Sequence, residues 1–89
     1  LIIVGDKNST ILGDGKNSII TIKSDDVELK NLTIKNSGHR LENLDSAVSL
    51  DKVKNFKLLN SKIVDSLYGI NFYMSNNCQI INNYIKSKN

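Results

Sequence analysis

His39 and Arg40 are the chain's single imidazole and single guanidinium, and they stand side by side. They lie in the stretch NSGHRLENLDSAVSL, Asn36 to Leu50, which also carries the carboxylate of Asp45. A lone imidazole can move a proton, ligate a metal or contact a partner. With Met74 and Cys78 as soft companions, His39 could contribute to a site for a soft transition metal. The carboxylates Asp25, Asp26, Asp45, Asp51 and Asp65 would serve glycan cleavage if two of them, or one and the histidine, projected from neighbouring strands. Tyr68 and Tyr73 offer rings that can stack on a sugar or mark a protein contact. Which of these chemistries is open depends on the elements that hold the residues.

Those elements repeat. VELKNLTIKNS (27–37), FKLLNSKIVDS (56–66) and CQIINNYIKSK (78–88) align with apolar residues in shared columns: Val27, Phe56 and Cys78; Leu29, Leu58 and Ile80; Ile34, Ile63 and Ile85. Asparagine fills another column as Asn31, Asn60 and Asn82, at spacings of 29 and 22 residues. Upstream, NSTILGDG (8–15) matches NLTIKNSG (31–38) and adds Asn8 at a spacing of 23. A second matched segment sets AVSLDKVKNF (47–56) over GINFYMSNNC (69–78), again 22 apart. Within each repeat apolar and polar residues alternate, as in Ile20-Thr21-Ile22-Lys23, the period of a short strand. KSDD, GDGKNS and YMSNN between the strands are turn compositions, since Asn, Asp and Gly tolerate the left-handed backbone of sharp corners.

This pattern predicts an all-β chain, a right-handed parallel β-helix with three short strands per coil and about 22 residues per coil, stacked about 4.8 Å apart. Residues 1–89 then form a single segment of about three to four coils. Its columns are ladders, with Asn8, Asn31, Asn60 and Asn82 as a structural ladder at one corner. The chain opens inside the apolar strand LIIVG and stops in the strand-like IINNYIKSKN, so the expectation is a fragment of a longer β-helix whose further coils cover its open edges. From Ile34 to Val48 the chain takes 14 steps, against 7 from Ile63 to Ile70. The excess is a seven-residue insertion at 38–44, and repeat architectures place function on such loops because their strands are committed to the core.

The scheme sorts the chemistry. His39 falls in the insertion, Met74 in a turn of the next coil and Cys78 in an inward column, so a solvated or partner-contacting histidine is favoured over a metal ligand, with His39 kept as a candidate. The carboxylates align poorly: Asp45 shares a column with Leu67 and Asp51 with Tyr73, while Asp25 and Asp26 read as corner residues bonding their own backbone. No catalytic set emerges, and a non-enzymatic role is expected. Gly13 and Gly15 in TILGDGK serve a tight turn, since no helix follows to build a phosphate loop. The net charge of +3 comes from lysines spread among acidic residues, which argues against a nucleic-acid groove. A single cysteine excludes an internal disulfide, and no apolar run is long enough to span a bilayer, so direct membrane insertion is not expected.

The runs LTIKNSGHRLENLDSAVSL and IVDSLYGINFYMSNNCQIINNYI, with TILGDGK at 10–16, resemble the parallel β-helix repeats of the NosD family, periplasmic accessory proteins of nitrous oxide reductase maturation. That resemblance implies a periplasmic assembly factor for copper centres. Its partners would be the membrane subunit of an ABC transporter and either nitrous oxide reductase or a copper chaperone, with copper as a possible ligand of the intact protein. The contact surface expected on this reading is His39, Arg40 and Asp45, with Tyr68 and Tyr73. The rival reading is a carbohydrate-binding or carbohydrate-active surface β-helix whose partner is a polysaccharide.

Overall fold

The computed structural model describes residues 1–6 and 9–87. Alternating apolar residues give eleven short strands: β1 (Ile2–Val4), β2 (Thr10–Leu12), β3 (Ile20–Ile22), β4 (Glu28–Lys30), β5 (Thr33–Lys35), β6 (Ser46–Asp51), β7 (Lys57–Leu59), β8 (Lys62–Ser66), β9 (Tyr68–Tyr73), β10 (Gln79–Ile81) and β11 (Tyr84–Ser87). The single helical element among the described residues is a 3-10 turn at Leu41–Asn43. The strands form three parallel sheets: a first of β1, β4, β7 and β10, a second of β2, β5, β8 and β11, and a third of β3, β6 and β9. The chain visits first, second and third sheets in turn and then begins again, so each circuit lays its strands beside those of the circuit before.

Register follows the apolar columns. Ile3 pairs with Leu29, Leu29 with Leu58 and Leu58 with Ile80 in the first sheet. Ile11, Ile34, Ile63 and Ile85 align in the second, and Ile20, Val48 and Ile70 in the third. Strands of three to six residues leave each sheet narrow, so the inward side chains of all three meet in one core. Leu29, Ile34, Val48, Leu50, Phe56, Leu58 and Ile63 are buried there. Large exposed apolar side chains concentrate on the outermost strands: Ile2, Ile3 and Val4 of β1, Leu12 of β2, Phe72 and Tyr73 of β9, Ile81 of β10, and Tyr84 and Ile85 of β11.

The corners are where the backbone turns left-handed. Asn31, Asn60 and Asn82 have φ of 59°, 50° and 57° at the corner from first to second sheet. Asn8 lies outside the described residues. Their amides continue the inter-strand bonding, with Asn31 N–H donating to Leu59 O and Asn60 N–H to Ile81 O. The corner from third to first sheet has a ladder of its own, Asp26, Asn55 and Asn77, at φ of 61°, 62° and 54°. Side-chain acceptors take the amides that a corner turns away from the ladders. Leu32 N–H donates to Ser61 Oγ, Ser61 N–H to Asn83 Oδ1, Val53 N–H to Ser75 Oγ and Ser46 N–H to Ser18 Oγ. Asp25 differs from its expected local role: its Oδ1 accepts from Lys54 N–H of the next circuit at 2.8 Å, because stacking brings that amide into line.

Candidate functional site

The long corner between β5 and β6 is a built loop. Its root is buried at Ser37, Gly38 and Asp45, while His39, Arg40, Glu42, Asn43 and Leu44 are exposed. Gly38 N–H donates to Asn17 O at 2.9 Å, tying the root to the preceding circuit. A Cβ at Gly38 would overlap Asp45 Oδ2 and lie 2.6 and 2.7 Å from the Lys16 carbonyl carbon and oxygen, so only glycine permits this approach. The next circuit holds the root from its other side, with Leu67 N–H donating to Ser37 Oγ and Tyr68 N–H to Asp45 O. Leu44 turns through φ 53° to bring the chain back onto β6.

Arg40 organises the tip. Its Nε donates to Asp45 Oδ2 at 3.0 Å, its Nη2 to Asp45 Oδ1 at 3.1 Å, and its backbone N–H to Asp45 Oδ2 at 3.1 Å. The same guanidinium reaches across the circuits, Nη2 donating to Asn17 Oδ1 at 2.7 Å. Asn43, with its amide oriented for hydrogen bonding, accepts from Arg40 Nη1 at 2.8 Å. Arg40 and Asp45 form an ion pair. The hydrogen bonds from Arg40 hold the Asp45 carboxyl below its ordinary value against the opposing effect of burial, with smaller help from the Arg40 backbone amide and from the charges of Arg40 and His39. The bond to Asp45 likewise raises the Arg40 guanidinium.

The loop thus brings His39, Arg40 and Asp45 together, but in different roles. Asp45 is 1% exposed, so its side chain acts from beneath as the anchor of Arg40 and offers no contact surface of its own. Arg40 keeps an outer face, with its side chain 45% exposed, and His39 is exposed beside it. Tyr68 and Tyr73 are 37% and 53% exposed at opposite ends of β9. Asn17, Gly38 and Asn43, which complete the loop's frame, carry no signal in the sequence beyond their turn compositions.

The soft donors do not fit a copper site. His39 lies at the corner from second to third sheet, Met74 is an exposed turn residue with φ 49° after β9, and Cys78 packs against the core with its thiol directed at Asn76 O. Among the described residues no three His, Cys, Asp or Glu side chains gather where a metal could be held. Of the carboxylates, Asp25 Oδ1 accepts from Lys54 N–H, Asp26 Oδ1 accepts from Asn55 Nδ2, Asp51 pairs with Tyr73 across the third sheet, and Asp45 is engaged by Arg40. No helix among the described residues is long and apolar enough to cross a membrane. Comparison with family models, with curated proteins and with solved structures finds no match to this chain.

Proposed function

We propose that the chain winds as a right-handed parallel β-helix and acts as a non-catalytic scaffold, with the 38–44 loop as its docking element. The observation that carries this reading is the frame of the loop. Arg40, Asp45, Asn17 and Asn43 fix its shape before any partner arrives, and a preorganised surface loses little conformational entropy on binding. Three sheets visited in fixed order, each strand parallel to its neighbour, support the β-helix. The resemblance to NosD repeats supplies the client: copper-centre assembly of nitrous oxide reductase in the periplasm, beside the membrane subunit of an ABC transporter. Because the donors present here do not converge, the loop's part is protein contact.

The test is made in cells that carry the full chain with a nitrous oxide reductase. His39→Ala removes an exposed ring that stands outside the hydrogen bonds framing the loop, whereas Arg40→Ala dismantles that frame. Both are expected to lower the copper content of the purified reductase, and His39→Ala to do so with unchanged stability of the scaffold. Full copper loading in both variants would sink the reading.

A further inference from the structure

We propose that the groove at the corner from third to first sheet binds a neutral glycan chain lying across successive circuits. The groove has a volume of about 680 Å³, within the range of small-ligand sites. Its walls come from three circuits in register. Asp26, Asn55 and Asn77 form one rank along the corner, and Glu28, Lys57 and Gln79 form a second on the outer face of the first sheet. Neighbouring parallel strands lie about 4.8 Å apart, so each rank presents a polar group at roughly the spacing of successive sugar rings.

The chemistry of the ranks selects the occupant. Carboxylates accept, the lysine donates, and the three amides do both, which is the mixture that vicinal hydroxyls satisfy, each being donor and acceptor at once. Carboxylates at Asp26 and Glu28 would repel a polyphosphate or an acidic glycan along the same track. The corner is also stiff. Asp26 N–H donates to Lys54 O, Asn55 N–H to Asn76 O, and Asn55 Nδ2 to Asp26 Oδ1 at 2.9 Å, so part of the rank is positioned in advance. Without an aromatic platform in the groove, affinity arises from weak contacts spread over the circuits and should grow with chain length. This inference is independent of the docking role of the 38–44 loop, which lies at another corner.

The experiment titrates the isotope-labelled full chain with cello-, manno- and malto-oligosaccharides of increasing length and follows its amide resonances. Binding that strengthens with length in one of these series, with shifts centred on Asn55, Lys57 and Gln79, is expected. Lys57→Ala and Gln79→Ala, outward residues of the first sheet, should each weaken it about tenfold, the worth of one good hydrogen bond. Circular dichroism of both variants should match the parent, and His39→Ala should bind unchanged. No shifts at saturating oligosaccharide, shifts confined to another face, equal binding of an acidic glycan, or unchanged affinity in both variants would each overturn the proposal.

Discussion

Gly38→Ala is the most exacting perturbation of the loop. The added Cβ would overlap Asp45 Oδ2 and sit 2.6 and 2.7 Å from the Lys16 carbonyl carbon and oxygen, well inside van der Waals contact. Neither wall can retreat cheaply. The Lys16 carbonyl is backbone of the preceding circuit, and the carboxylate is held by three hydrogen bonds from Arg40. Overpacking of this kind costs about 1–3 kcal/mol, a large share of the roughly 5–15 kcal/mol that holds a domain folded. Gly15→Ala is the control. Gly15 has φ 79° but no clash, with Asn36 Nδ2 the nearest atom at an ordinary contact distance of 3.6 Å, so its cost is conformational, about 1–2 kcal/mol. Urea unfolding at constant slope measures both losses. The Arg40 Nε–H resonance separates their causes, since only Gly38→Ala should shift it and speed its exchange with solvent. A Gly38→Ala variant with the parent's midpoint and an unmoved Arg40 resonance would refute the close packing of the loop root.

Acid should reach the same anchor. Asp45 is held below its ordinary pKa of 3.8 by Arg40, so the stability it contributes is fully present above that unfolded value and is lost as pH falls through the lower folded one. Asp45→Asn should therefore be less stable than the parent at neutral pH and should flatten the acid limb below pH 3.8, read as unfolding midpoints against pH. An acid limb of undiminished slope would remove Asp45 as its source. Ser61→Ala leaves the buried Leu32 N–H without its acceptor, which should cost about 1–3 kcal/mol in the same unfolding assay. A loss no larger than that of an exposed serine such as Ser24→Ala would show that the corner amide is satisfied in another way.

The core was legible because stacking turns contact in space into periodicity in sequence. Leu29 with Leu58 and Ile34 with Ile63 are 29 residues apart, and Leu58 with Ile80 and Ile63 with Ile85 are 22 apart. Any column of inward residues repeats at the circuit length, and alternation marks which residues of each strand face in. What the sequence concealed is the side-chain chemistry between circuits. Ser61 for Leu32, Asp25 for Lys54 and Asn17 for Arg40 join residues of different types at separations of 29, 29 and 23, and unlike partners leave no repeated letter to align. The Asp26, Asn55 and Asn77 ladder escaped for a related reason, since its first member is an aspartate and its letters do not form one column of asparagine. Burial of Asp45 escaped as well. A carboxylate five residues from an arginine reads as a surface pair until the loop is seen to fold over it.

The distribution of chain length among the corners separates support from display. Between second and third sheets the successive circuits take nine residues from Ile11 to Ile20, fourteen from Ile34 to Val48 and seven from Ile63 to Ile70. The longest corner is flanked by shorter ones, so its neighbours can reach only its root. Asn17 and Ser18 brace it from one side, Leu67 and Tyr68 from the other, and their bonds end on Ser37, Gly38, Asp45 and Ser46. Arg40 alone extends the bracing outward, through Asn17 and Asn43, to residues that would otherwise hang free. A corner no longer than its neighbours would be paved over by them, and a much longer one would have no frame. The extra seven residues are enough for one 3-10 turn and one arginine to fold back on a buried carboxylate, which yields an exposed tip with a fixed shape.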